Sequence, residues 1–133
     1  MTSDTPAATA SVETASRRTI MVVEDEVLVR LGTASDLRAA GYDVLEAADA
    51  QEALAILDAG ITVDLVFSDV HLPGPIDGIA LAALLRARHP AVAVVLTSGL
   101  PLPPTVEALG LRGFMPKPYT AMDLLRLLGE RLG

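Results

Sequence analysis

From Thr19 onward the apolar residues fall into two alternating rhythms, short unbroken runs and longer helical spacings. Ile20-Met21-Val22-Val23 is an unbroken apolar run, the pattern of a strand buried on both faces. Val27 to Ala40 then carries apolar residues at helical spacing (Val27, Leu28, Leu31, Leu37). It stops at Gly41, a residue suited to the left-handed position after a helix. Tyr42 to Glu46 reads as a second, weaker strand. Asp49 and Glu52 read as N-cap and N3 of a second helix, which runs through Leu54, Ile56 and Leu57 to Gly60. Val63 to Ser68 is a third strand, ending on Asp69. After a loop holding Pro73, Gly74, Pro75 and Gly78, Ile79 to Arg88 reads as a third helix, stopped by His89-Pro90. Val92 to Leu96, closed by Thr97-Ser98-Gly99, is the fourth strand, and Arg112 to Met115 the fifth. Thr120, with Asp123 at N3, opens a last helix that runs to about Leu132.

Five strands alternating with helices need crossover connections, so the sheet is parallel and covered by helices on both faces. The expected class is α/β, a doubly wound five-stranded sheet. The fourth connection is unusual: Pro101, Pro103 and Pro104 stand where its helix should begin. At most Thr105 to Leu109 can be helical there, a shortened fourth helix. Met1 to Arg18 has no apolar periodicity and no apolar core of a secretory signal, so it reads as a flexible tail ahead of one domain over 19–133.

Composition narrows the function. A chain of 133 residues suits a single domain. The absence of cysteine excludes disulfide scaffolds, thiolate zinc sites and iron–sulfur sites. No apolar run approaches the ~20 residues of a membrane span, so neither a membrane nor an export role is expected and the location reads as cytoplasmic. The net charge is −7, and the first nineteen residues are neutral (Asp4, Glu13, Arg17, Arg18), so the excess acid lies in the folded part. That balance argues against nucleic acid as a partner. Lys117 is the only lysine in the chain.

In an open parallel sheet, ligands bind at the carboxyl ends of the strands. Glu24-Asp25 follow the first strand, Asp69 ends the third, Thr97 the fourth, and Lys117 follows the fifth. Each alone has a bland reading, as a solvated loop acid, a turn cap, a strand-end hydroxyl or an exposed lysine. Together they fall on one edge. Three carboxylates at close quarters repel unless a cation joins them, and hard oxygen donors favour Mg2+. Phosphoryl transfer follows, with Asp69 as the candidate nucleophile and the hydroxyl and ammonium as stabilisers of the phosphoryl oxygens. His71, His89 and Glu26 have simple surface readings as side chains.

The segments Ile20-Met21-Val22-Val23-Glu24-Asp25, Leu65 to Gly74 around Asp69, Val95-Leu96-Thr97-Ser98-Gly99 and Gly113-Phe114-Met115-Pro116-Lys117-Pro118-Tyr119, in this order, resemble the receiver domain of two-component response regulators. The resemblance covers Thr19 to Gly133. It implies a flavodoxin-like sheet of order 2-1-3-4-5. It implies that Asp69 accepts a phosphoryl group from a phosphohistidine, on a sensor histidine kinase or a histidine phosphotransfer protein. Asp25 would bind Mg2+ directly, Glu24 through water, and His71 through its backbone carbonyl. Thr97 and Lys117 would contact the phosphoryl group, Phe114 would be the switch aromatic, and Lys117-Pro118 would be cis. The face formed by the fourth connection, fifth strand and last helix would change shape for a downstream protein target.

Two departures from the family pattern stand out. Eight residues separate Asp69 from Gly78, one more than usual, in the Pro73-Gly74-Pro75 loop. The fourth helix is cut short by proline. The last helix closes near Gly133, which leads to the expectation of a single-domain regulator or relay rather than an enzyme that turns over an external substrate. The alternatives are a receiver-fold interaction module that takes no phosphate, and a fragment of a longer response regulator or hybrid kinase. A flavin binder is disfavoured by the acids after strand one, and a phosphohydrolase by the absence of sequence for a cap.

Overall fold

A computed structural model describes residues 17–132. Five parallel strands form one sheet: β1 (Thr19–Val23), β2 (Asp43–Ala47), β3 (Leu65–Asp69), β4 (Ala93–Ser98) and β5 (Gly113–Pro116). The helices between and after them are α1 (Val27–Ala39), α2 (Ala50–Asp58), α3 (Gly78–Arg88), a 3-10 helix (Pro104–Leu109) and α4 (Ala121–Leu132). The spatial order is β2-β1-β3-β4-β5, so the sheet is the doubly wound, flavodoxin-like one expected. Register pairs Ile20 with Leu65 across β1 and β3, and Asp69 with Thr97 across β3 and β4.

Side chains of successive strand residues point to opposite faces. Met21, Val23, Val66 and Leu96 pack with Leu54, Leu57, Leu81 and Leu85 of α2 and α3. Ile20, Val22, Leu65, Phe67 and Val95 pack with Leu37, Leu124 and Leu128 of α1 and α4. The apolar runs of β1 and β3 are thus buried on both sides, each side chain contributing about 2 kcal/mol relative to exposure. The helix ends follow local chemistry. Asp49 accepts from the Glu52 N–H at 2.7 Å, while Glu52 reaches back to the Ala48 N–H, also at 2.7 Å. Thr120 and Asp123 exchange side-chain-to-backbone hydrogen bonds, both at 3.1 Å. Gly41, at φ 102°, takes the left-handed position after α1.

Helix α1 forms over the span expected; it buries Thr33, Ala34 and Leu37 and leaves Val27, Leu28 and Leu31 53%, 79% and 48% exposed, while several other boundaries shift. Helix α3 begins one residue early, at Gly78, because Asp77 accepts from the Ala80 N–H at 2.8 Å. Val63 is buried but precedes β3. The shortened fourth helix is a 3-10 turn over Pro104–Leu109, one residue longer than predicted, with only Val106 buried. Of the expected tail, residues 1–16 lie outside the described residues. Arg17 and Arg18 already engage the domain, pairing with Asp43 at 3.3 Å and Asp64 at 3.7 Å.

Candidate functional site

The carboxyl edge of the sheet gathers Glu24, Asp69, Thr97 and Lys117. Strand β3 ends on Asp69, whose side chain is 8% exposed. The Lys117 ammonium donates to Asp69 Oδ2 at 2.7 Å and stands 3.8 Å from Glu24 Oε1. It is brought there by the turn after β5, where the Lys117 N–H donates to the Ser98 carbonyl at 2.9 Å and the Lys117-Pro118 bond is cis. Asp69 Oδ1 accepts from the His71 backbone N–H at 3.0 Å. Thr97 is the register partner of Asp69, and its hydroxyl is buried without a hydrogen-bond partner. A buried polar atom left unpaired costs stability and marks a place where a ligand oxygen would be welcome.

Close backbone packing supports Asp69 from behind. The Val70 N–H donates to the Thr97 carbonyl at 3.0 Å, and the Gly78 N–H to the Val70 carbonyl at 2.8 Å. A Cβ at Gly78 would stand 2.2 Å from the Asp69 carbonyl oxygen and 2.7 Å from the Val70 Cα. Glycine is therefore required for α3 to start so close to the end of β3.

The charges do not balance freely. Burial pushes the Glu24 carboxyl up to about 7; the Glu26 N–H offsets part of this, and the negative charge of Asp69 adds to it. For Lys117, burial works against the ammonium, but the hydrogen bond to Asp69 and the charges of Asp69 and Glu24 outweigh it and hold its pKa above the usual lysine value. Nearby, burial raises the Tyr119 phenol, with partial relief from the Thr33 hydroxyl. The Tyr119 ring meets Phe67 edge-on at 5.8 Å.

The profile of the response regulator receiver domain matches residues 20–128. The chain belongs to this family. Among curated proteins, this receiver is 38% identical to the sensor kinase CckA of Brucella abortus over 86% of the chain and 12% of that kinase. It is 35% identical to the transcriptional regulatory protein PdtaR of Mycobacterium tuberculosis over 88% of the chain and 58% of that regulator. The chain therefore spans only part of each relative. The crystal structure of the receiver domain of hybrid histidine kinase CckA superposes with a TM-score of 0.74 at 40% identity, covering 86% of this chain and 99% of that one. The chemotaxis response regulator CheY4 of Vibrio cholerae gives 0.79 at 26% identity, covering 87% and 99%.

Receivers of this fold generally bind Mg2+ at the acidic pocket. The oxygens available at this edge are hard ones: the Glu24 and Asp69 carboxylates that share Lys117, with Asp25 next to Glu24 in the chain and the His71 backbone carbonyl two residues past Asp69. Among the described residues, no three acidic or histidine side chains are grouped as a ready-made cage. Mg2+ does not need one, because it keeps several waters and takes one or two carboxylates. Glu24 and Asp69 are both buried at this edge and the Thr97 hydroxyl beside Asp69 has no partner, a polar set that a divalent ion with its waters would satisfy. The residues fit the ion.

The other predicted residues stand further out. Asp25 is exposed beside Glu24, and the His71 residue is exposed. Phe114 pairs in register with Leu96 and packs on the α2–α3 side, lining a cavity of about 300 Å³ with Ser98, Leu100 and Pro101. Sequence reasoning missed three contributors. Tyr119 lines an apolar groove of about 540 Å³ between α1 and the turn after β5, with Leu28, Gly32, Thr33 and Pro118. Arg30 and Glu46 hold the turn after β1. The aromatic directly after Lys117-Pro118 was a signal for Tyr119; nothing short of the β1–β2 register brings Glu46 to Arg30.

Proposed function

We propose that this receiver, the unit from Thr19 to Gly133, accepts a phosphoryl group on Asp69 from a phosphohistidine and changes partner binding in response. The observation that carries the reading is the Asp69–Lys117 pair at 2.7 Å beside the unpaired Thr97 hydroxyl. One Asp69 oxygen attacks phosphorus, the P–N bond breaks, and the imidazole leaves carrying a proton. Bound Mg2+ supplies charge neutralisation for the three phosphoryl oxygens. Asp25 would hold it directly, Glu24 through water, with Asp69 and the His71 carbonyl completing the set. Lys117 turns from its carboxylates toward a phosphoryl oxygen, and the Thr97 hydroxyl gains its missing partner. Movement of Thr97 frees room for Phe114 to turn, which reshapes the face formed by the 3-10 helix, β5 and α4.

The donor is a sensor histidine kinase or a histidine phosphotransfer protein, and the output is a downstream protein target. Beside Lys117, the exposed Leu28 and the groove offer a surface for the donor. A phosphohistidine donor of this kind places the exchange in the cytoplasm. Separately, no helix of the described residues is long and apolar enough to cross a membrane. Catalytic turnover of an external substrate is not part of the role. Likeness to the CckA receiver supports a phosphorelay setting, in which this chain is either a separate relay protein or a piece of a longer regulator or hybrid kinase.

The test is intact-protein mass measurement after incubation with Mg2+ and acetyl phosphate, wild type beside Asp69→Asn. One base-labile phosphoryl group is expected on the wild type and none on the variant. Equal labelling of both would overturn the assignment of Asp69. No labelling of the wild type by acetyl phosphate or a phosphohistidine donor would favour an interaction module that takes no phosphate.

A further inference from the structure

The turn that carries Glu24 and Asp25 is tied to β2 on both sides. The Glu24 N–H donates to the Ala47 carbonyl at 3.0 Å. The Glu24 carbonyl accepts from Arg30 Nη1 at 2.9 Å, and Arg30 Nε donates to Glu46 Oε1 on β2 at 3.2 Å. The Arg30 side chain is 16% exposed. Glu46 is itself braced, its Oε2 accepting from both terminal nitrogens of Arg38 at 3.3 Å, while Arg38 Nη2 also reaches the Val44 carbonyl at 3.1 Å. Inside the turn, Glu24 Oε2 accepts from the Glu26 N–H at 3.2 Å. The path of the main chain at Glu24 is thereby fixed before any ligand arrives.

Charge alone does not account for Arg30. A guanidinium beside an acidic pocket repels an incoming cation, so on Coulomb grounds its removal should tighten cation binding. Geometry predicts the reverse, because outer contacts that orient ligands are often worth tenfold or more in metal affinity. We infer that Arg30, clamped by Glu46, is a positioning residue that presets the Glu24-Asp25 turn for a divalent cation. The inference rests on the cation reading above and adds to it the residues that hold the ligands in place.

The two effects have opposite signs, which makes the test sharp. Mg2+ affinity is measured on the full chain by NMR titration, without phosphodonor. Amide hydrogen exchange over residues 24–26 is measured on the metal-free protein. Arg30→Met is expected to weaken Mg2+ binding about tenfold and to speed exchange in the turn. Glu46→Ala should shift both in the same direction by less, and it keeps the test open if Arg30→Met folds poorly. Glu46→Gln retains an acceptor for Arg30 Nε and should restore most of the affinity. A merely structural role would lower thermal stability and leave the Mg2+ affinity of the folded protein unchanged. Equal or tighter binding by Arg30→Met or Glu46→Ala, in a chain whose wild type binds Mg2+, overturns the clamp alone. A wild type that binds no Mg2+ overturns the cation reading, and the clamp falls with it.

Discussion

Two connections leave the carboxyl edge of the sheet side by side, and they are built in opposite ways. After β3, Asp77 caps α3, an eleven-residue helix that buries Gly78, Leu81, Ala82 and Leu85. After β4, Pro101, Pro103 and Pro104 lead into a six-residue 3-10 helix with no side-chain cap and one buried residue, Val106. The first begins within hydrogen-bond reach of the strand that carries Asp69; the second follows the strand that carries Thr97. Segments with few buried apolar contacts open at low free-energy cost. The arrangement therefore holds the proposed phosphoacceptor on a stiff support and places the proposed responder beside the cheapest element to reshape.

The largest contrast should come from emptying each connection of its anchor. Leu85 is fully buried under the sheet, and Leu85→Ala should cost about 3 kcal/mol in urea unfolding. Val106→Ala removes less volume at a less enclosed place and should cost about 1 kcal/mol. Equal losses would mean that the 3-10 turn is as firmly integrated as α3, and the division into stiff and soft sides would fail.

A second contrast uses one added methyl group in each connection. At Gly78 the new Cβ meets backbone at 2.2 Å, which cannot swing aside, so Gly78→Ala should cost about 2 kcal/mol and impair phosphorylation of Asp69. At Gly99, just past β4, a Cβ meets nothing within 4 Å. Gly99→Ala should leave stability within about 0.5 kcal/mol of wild type. A tolerated Gly78→Ala, with labelling intact, would show that the junction of β3 and α3 is looser than its distances imply.

Much of this difference was legible in the chain, though not all for the same reason. Three prolines before Thr105 leave little room for a helix, and they are local facts. So are the Asp49–Glu52 and Thr120–Asp123 caps, which the structure bears out. Strands β1, β3 and β4 were readable because buried parallel strands are continuously apolar, whereas β2, with Asp43 and Glu46, was legible only as a weaker strand. The start of α3 falls one residue earlier than read because Asp77 sits in a loop of prolines and glycine, where its capping role depends on where the chain turns; its end at Arg88 was legible. Helix α1 was legible as a helix but not in its orientation. Its apolar residues have the right period for a core face, but period says nothing about which partner the face meets, and here Thr33, Ala34 and Leu37 face the sheet while Leu28 faces out. The site was visible as residue types at strand ends. Its support was not: Arg30 and Glu46 lie sixteen positions apart and meet only through the pairing of β1 with β2.

The smallest expected effect is electrostatic, and it asks whether the packed side of the edge carries a misfit that the soft side lacks. Glu24 is buried near Asp69 and its pKa is raised to about 7 from 4.5. A carboxyl whose pKa is higher in the folded than in the unfolded state keeps its proton longer when folded. Its contribution favours the native state most below about pH 4.5 and is lost as pH rises through about 7. Without metal, Glu24→Gln should therefore match wild type near pH 4.5 and become the more stable protein by about 3 °C in Tm near pH 8. Glu107→Gln makes the same charge change on the exposed second connection and controls for net charge. Adding Mg2+ should favour the wild type and shrink the gap, since the ion supplies the countercharge that Glu24 lacks. A Tm difference that stays flat from about pH 4.5 to pH 8 would mean that water and Lys117 already neutralise this carboxylate, and the packed edge would then be no more electrostatically burdened than its neighbour.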